Sequence, residues 1–298
     1  MDKVKEKAPA SGGAEVSAKQ HIFNESITPI DGNVKRAEEK NTKNTSSGIL
    51  KILIACEESQ RVCTEMRKLG HEAYSADIQE PSGGHPEWHI LGDVLPLING
   101  NCRFVTMNGT VHSISGKWDL LIAHPPCTYL SAVTTRHLSL KCTPPEKIIE
   151  RFWKLAESVV FFMQFALADC EKICVENPMG FMSRLWRKPD QIVHPYYFAD
   201  SIEDVENYHK KRTCFWLKGL EPLERVNVLP PPPPLGYSKS GKPLNFEEKT
   251  RGGDRAKIRS KTFPGIAKAM AEQWAGTVNL PEMCGRKLKS MKELREVI

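Results

Sequence analysis

The stretch Trp118-Asp-Leu-Leu-Ile-Ala-His-Pro-Pro-Cys127 constrains this chain more than any other. Its apolar run has the length of a buried strand. The Pro-Pro pair closes that run with a stiff turn, because proline neither donates to a sheet ladder nor continues a helix. Such a turn presents Cys127 beyond the carboxyl end of the strand, and in open α/β sheets that edge is where ligands bind. A second edge of the same kind follows at Lys172-Ile-Cys-Val-Glu176-Asn177-Pro178, where a strand-like run stops at a carboxylate, an amide and a proline. Two strands therefore each deliver a reactive group, one a thiol and the other an acid.

The rest of the chain supports a parallel sheet. Ile49-Leu-Lys-Ile-Leu-Ile-Ala55 reads as a buried strand, Ser59 is placed to cap a helix, and Val62, Met66 and Leu69 form its apolar stripe up to Gly70. His71 to Asp77 reads as the next strand, completing a strand-helix-strand unit that favours parallel pairing. A loop holding two Gly and two Pro, Glu80 to Trp88, leads to a short strand from His89 to Val94, and a hairpin is expected around Arg103 to Ser115. Residues 145 to 170 read as one long helix with Ile148, Phe152, Leu155, Val159, Phe162 and Phe165 as its core stripe. Arg212 to Leu217 reads as a further strand, the five prolines 230 to 234 as a polyproline II spacer, and Pro264 to Ala275 as a final helix.

Composition bounds the setting. Of the 298 residues, 40% are hydrophobic and six are Trp, enough to fill one large α/β domain and a small appendage. A net charge of +6 is compatible with a polyanionic partner without requiring one. The nine cysteines are odd in number and contain no Cys-x-x-Cys, the amino terminus is charged, and no apolar run approaches the roughly 18 residues of a membrane span. The expectation is a reducing, cytoplasmic protein with no membrane, in which Asn44 and Asn108 are not glycosylated. Residues 1 to 46 are polar and aperiodic and read as a disordered tail.

The Pro-Pro-Cys and Glu-Asn motifs, each after a core strand and in this order, resemble those of the cytosine-C5 DNA methyltransferases. The resemblance covers about residues 50 to 276 and is closest in style to short, phage-encoded members, for which the host cytoplasm is the expected location. It implies a Rossmann-like S-adenosylmethionine-dependent methyltransferase fold with a small recognition insert. The corresponding divisions are a catalytic core over 47–182, a target-recognition region over 183–256, a returning helix over 257–280 and a basic tail over 281–298. It further implies Cys127 as nucleophile, Glu176 as acid and Asn177 as the residue that orders the catalytic loop. Thiolate attack at carbon 6 of cytosine turns carbon 5 into a nucleophile, and a carboxylic acid at ring nitrogen 3 eases that attack. The base must first leave its stack.

The donor, S-adenosyl-L-methionine, is expected against Ala55, Cys56 and Glu57 after the first strand, Asp77 and Ile78 after the second, Asp93 after the third, and Pro125. DNA is the expected partner, with Arg212, Arg255 and Arg259 as contacts. Thr262 to Ala271 resembles the last motif, which packs back on the donor. Departures are local. The loop Ala55-Cys-Glu-Glu-Ser-Gln60 has no glycine, Thr128 stands where Gln is usual, Pro178 where Val is usual, and Lys211-Arg212-Thr213 matches a Gln-x-Arg-x-Arg strand only in part.

Each residue also has a structural reading. Cys127 is then a turn cysteine, Glu176 caps a helix through Asn177-Pro178, and Asp77 and Asp93 are loop acids. Glu57 and Glu58 become a solvated helix start, Arg212, Arg255 and Arg259 surface charges, and the basic stretch from Lys249 to Lys261 a solvated loop. Two other functions share some of these residues. A zinc nucleobase deaminase uses His-x-Glu and Pro-Cys, matched by His85-Pro-Glu87 and Pro126-Cys127, but Leu130 stands where its second cysteine belongs. A non-catalytic relative that binds donor or nucleic acid, or a relative that uses a modified sulfonium donor, fits the thin recognition region.

Overall fold

The computed structural model describes residues 48–246 and 255–278. In chain order the elements begin with β1 (Lys51–Ala55), α1 (Arg61–Lys68), β2 (Glu72–Asp77), β3 (His89–Leu91), β4 (Cys102–Val105), β5 (Val111–Ile114) and β6 (Leu120–Ala123). They continue with α2 (Pro145–Ala166), β7 (Ile173–Pro178), α3 (Met182–Leu185), β8 (Gln191–Val193) and β9 (Thr213–Lys218). Last come β10 (Gly236–Tyr237), β11 (Pro243–Leu244), α4 (Arg255–Ser260) and α5 (Pro264–Met270), which runs on as a wider π turn over Ala271–Ala275.

Seven strands form one sheet in the order β3-β2-β1-β6-β7-β9-β8. The five from β3 to β7 are parallel, and β9 runs antiparallel to both of its neighbours. The expected α/β class forms, with a mostly parallel seven-stranded sheet that is compatible with a Rossmann-like fold. β8 and β9, which fall in the expected 183–256 recognition region, complete this sheet, so a boundary at residue 182 runs through it. Residues 1–47, 247–254 and 279–298, which hold both expected tails and Lys249 and Arg251, lie outside the described residues.

β1 shows why the sheet is central. Its sequence alternates nothing: Ile52, Leu53, Ile54 and Ala55 are all fully buried, as a strand covered on both faces requires. Leu53, Leu121, Val175 and Trp216 face one core layer, under α2 and the β4–β5 hairpin. Ile52, Ile54, Ile122 and Phe215 face the other, under α1 and α5. Fully burying side chains of this kind stabilises by roughly 1.5–3 kcal/mol each. The hairpin is held by Phe104 edge-on to Tyr74 at 5.0 Å and by Trp118, whose indole N–H donates to Leu97 O at 2.6 Å.

Three local expectations change. Ser59 does not cap α1; Gln60 holds the cap position with φ 55°, and the capping acceptor is Glu57, whose carboxylate takes the N–H groups of Val62 and Cys63. α2 ends at Ala166 rather than near 170, where Ala168 and Cys170 turn back into the core. Phe152 is not core: it is 53% exposed, because Leu155, Phe162 and Phe165 face the sheet and Phe152 lies off that line. The contrast is measurable. Phe162→Ala, which removes a ring set edge-on to Trp216 at 5.2 Å, should cost about 3–5 kcal/mol in urea unfolding, whereas Phe152→Ser should stay within about 0.5 kcal/mol.

Candidate active site at the carboxyl edge of the sheet

The chain passes from β1 to β2 on one side and to β6 on the other, so the carboxyl ends of β1 and β6 flank the switch point of the sheet. Beyond β1 the backbone turns sharply. Cys56 takes φ 59°, and its N–H and that of Glu57 both reach Ala76 O, at 2.7 and 3.3 Å. The loop without glycine thus adopts left-handed backbone at Cys56 and Gln60, the conformation glycine would adopt without strain.

Three strand ends meet here. Burial first, then the charges of Asp77 and Asp93, push the Cys56 thiol far above its usual range. Each aspartate uses one oxygen to hold its own turn, Asp77 on Gln79 N at 2.9 Å and Asp93 on Leu95 N at 3.0 Å. Ile78, beside Asp77, is 78% exposed and offers an apolar surface at the same edge. Glu57 is not a solvated helix start. It is buried, and its oxygens lie 2.6 Å from Val62 N and 3.2 Å from Cys63 N. It caps α1 from inside rather than facing solvent, and burial raises its pKa to about 7 against the opposing charge of His124.

The ends of β6 and β7 form the second half of the site. His124 extends the ladder by one bond, its N–H donating to Ala55 O at 2.9 Å. The Asn177 amide donates to Pro125 O at 2.7 Å across the two strand ends. Cys127 follows on an exposed turn whose carbonyl accepts Leu130 N and Ser131 N at 3.1 and 3.0 Å. The chain after Cys127 then zips onto the chain after Pro178: Ser131 bridges Gly180, Phe181 N donates to Leu130 O at 2.7 Å, and Ala132 N to Met179 O at 3.2 Å. Gly180 is required by this seam, since a Cβ there would sit 1.9 Å from Leu130 O.

Glu176 lies on the opposite face of β7 from Asn177. Its Oε2 is 3.2 Å from His124 Nδ1, and the two side chains are 19% and 7% exposed. Burial would raise its pKa, but the hydrogen bond and charge of His124, with Lys211 behind them, hold it below the usual carboxylate value. Glu176 and Lys211 border a small cleft with Thr213, with Thr262 and Phe263 just before the returning helix α5, and with Met270 at its end. Lys211 Nζ is fixed on Arg259 O at 2.7 Å.

Of the expected DNA contacts, Arg212 is exposed one residue before β9, and the pairing of Pro178 with Thr213 sets it at the same edge as Glu176. Arg259 is half-buried in α4; Arg255 begins that helix, and its side chain lies outside the described residues. The deaminase pattern does not assemble. His85 bonds Glu87 at 2.9 Å and stacks on Trp88 at 3.8 Å, and among the described residues no three His, Cys, Asp or Glu side chains group to hold a metal. Also among the described residues, no helix is long and apolar enough to cross a membrane.

His124 and Gly180 were not singled out in the sequence, and Lys211 entered only as part of the Lys211-Arg212-Thr213 match. His124 had a visible signal: alternation along β6 puts it on the face of Ile122, the face that Cys174 and Glu176 share on β7. Compared with protein-family models and with curated protein sequences, the chain matches none.

Two outcomes test this geometry. Because Glu57 is protonated more readily when folded, the native state holds the extra proton between the usual carboxylate pKa and about 7, so stability falls as pH rises through that window. Glu57→Gln should flatten that fall by up to about 3 kcal/mol, read from urea midpoints between pH 5 and 8. Gly180→Ala should cost about 1–3 kcal/mol, and amide exchange should quicken at Phe181, whose bond to Leu130 is broken.

Proposed function

We propose that this protein transfers a methyl group from S-adenosyl-L-methionine to carbon 5 of cytosine in DNA. The observation that carries this reading is the pairing of the Cys127 turn with the Glu176-Asn177 end of the next strand, beside the switch point and tied by Asn177 to Pro125 O. Chemistry on carbon 5 of cytosine needs a thiol and a carboxyl group fixed in register, and this edge supplies both.

The residues at the first three strand ends fit the donor. Two carboxylates converge on a sharp left-handed turn, with an exposed apolar side chain alongside. Asp77 and Asp93 would hold the adenosine hydroxyls and amino group, and Ile78 would pack on the base. Ala55, Cys56 and Pro125 would line the methionine portion. Glu57, with its carboxylate inside the helix cap, would act on the donor's ammonium only through its charge. Bound there, S-adenosylmethionine supplies an electrophilic methyl group on a sulfonium sulfur.

The chain's own residues do the rest. Cys127 as thiolate adds to carbon 6 of the extruded cytosine, and the electron pair moves towards carbon 5. Glu176 holds a proton at ring nitrogen 3, so that negative charge does not build on the ring. Asn177 fixes the backbone of the Cys127 turn through Pro125. Once carbon 5 carries the methyl group, loss of its proton re-forms the double bond and expels Cys127. Arg212 would contact DNA phosphate at the rim, with Arg255 and Arg259 on the segment behind it.

A second reading rests on one observation. The donor loop reaches its turn with strained non-glycine residues, and Glu57 is committed to α1. That arrangement favours a relative which binds donor or nucleic acid without turnover, or takes a modified sulfonium donor. Methyl-labelled S-adenosylmethionine, offered with double-stranded DNA, single-stranded DNA, RNA and cytidine nucleotides, separates the readings. Transfer to carbon 5 of cytosine in DNA, falling to background in Cys127→Ala, is the expected result. Equal transfer by Cys127→Ala would overturn the covalent mechanism, and binding of donor without transfer to any substrate would favour the second reading.

A further inference from the structure

Two buried histidines, His71 and His89, and His124, whose side chain is 7% exposed, invite comparison. His71 has both ring nitrogens partnered, Nδ1 by Leu50 N at 3.2 Å and Nε2 by Gly276 O at 2.7 Å. His89 is the same, with Ser75 Oγ on Nδ1 at 2.9 Å and Gln79 O on Nε2 at 3.0 Å. Both are structural, each fixed by two neutral groups. His124 is built otherwise. Its Nδ1 meets the carboxylate of Glu176 at 3.2 Å, and its Nε2 is buried with no hydrogen-bond partner among the described residues. Leaving a buried polar atom unpaired costs free energy, so each such atom calls for an explanation, a catalytic role among them.

Position sharpens the contrast. His124 sits between the carboxyl ends of β1 and β6, one residue before the Pro-Pro-Cys turn, with its N–H on Ala55 O. Its neighbours are charged from several elements. Glu176 on β7 bonds it directly, Glu57 after β1 feels its charge, Arg61 on α1 acts on Glu57, and Lys211 before β9 acts on Glu176. Two acids thus interact with the one ring, each with a cation of its own, and of these four groups Glu176 is the one that bonds it.

We propose that His124 is the positioning residue for the acid of this site, holding on Nδ1 the proton that Glu176 delivers to ring nitrogen 3 of cytosine. The inference rests on the function proposed above. The proton balance is simple. As Cys127 bonds to carbon 6, the proton on His124 Nδ1 passes to Glu176 and the carboxyl proton to nitrogen 3, leaving neutral His124. When Cys127 is expelled, nitrogen 3 returns its proton to Glu176 and so to His124, and nothing is oxidised or reduced. Against the burial that would raise it, Glu176 is kept ionised by His124, with Lys211 behind it, so the proton it delivers has to come from that partner; a histidine partner lets an ionised carboxylate serve as a general acid near neutral pH.

The test compares wild type with His124→Asn, whose amide nitrogen can replace Nδ1 as donor to Glu176 but carries no titrating proton. Methyl transfer to DNA is measured from pH 5.5 to 9, with donor binding as the control. The expected result is a kcat at least tenfold lower in the variant at neutral pH, loss of the high-pH limb seen in wild type, and unchanged donor affinity. An unchanged kcat and pH profile, in protein whose transfer still depends on Cys127, overturns this inference and leaves the proposed function standing. No transfer by the wild-type protein overturns the function and this role with it. Should His124→Asn lower the thermal midpoint, the imidazole titration of His124 by nitrogen-15 NMR decides instead, in wild type and Glu176→Gln. A His124 pKa that drops when the carboxylate is removed supports the pair; one that stays in place overturns it.

Discussion

The whole arrangement depends on β1 pairing in parallel with β2 on one side and β6 on the other. A parallel sheet needs a crossover for each strand, and right-handed crossovers on both sides of β1 send the chain to opposite faces. The loops leaving β1 and β6 therefore diverge at the carboxyl edge of the sheet, where ligands bind in open α/β folds. The residues proposed to take part in chemistry form the rim of that edge. The apolar residues of β1, β6 and β7 hold the rim in register, since a slip by one residue would move each buried side chain to the wrong face.

Polar groups on the rim are held by elements distant in sequence. Glu57 caps α1 and feels His124; His124 bonds Glu176; Glu176 is steadied by Lys211, itself anchored on Arg259 O. Each of these groups is thus partnered by a group that another element of the fold supplies. In such a setting electrostatic interactions are stronger than in bulk water, so small displacements change protonation. This explains why a carboxylate at the end of β7 and one after β1 shift in opposite directions. Glu57 has backbone amides and distant cations against full burial, while Glu176 has a histidine in contact.

Much of the frame was legible in the sequence, because apolar runs ending at Pro or Asp mark strands buried on both faces. The positions of Asp77, Asp93, Cys127 and Glu176 at or just beyond the ends of those runs put all four at one edge of a parallel sheet. The cap of α1 was not legible. Ser59 has the right identity, but the turn at Cys56 brings the longer Glu57 side chain to the helix amides first. The exposure of Phe152 was hidden for a related reason: periodicity gives a stripe wider than the sheet covers, and only packing decides its margin. The His124–Glu176 contact depends on the relative register of two strands joined by a long helical crossover, which local pattern does not encode.

The seam in which Leu130 and Ser131 lie against Gly180 and Phe181 has a mechanical consequence. The turn that carries the thiol and the strand end that carries the acid are not two independent fingers. They are the jaws of a caliper whose opening is set by chain length between covalent landmarks and locked by a residue with no side chain. A ligand entering between them does not adjust the spacing; it must arrive already shaped to it. Lengthening either loop by one residue would therefore miscalibrate the other, even with every reactive group still present.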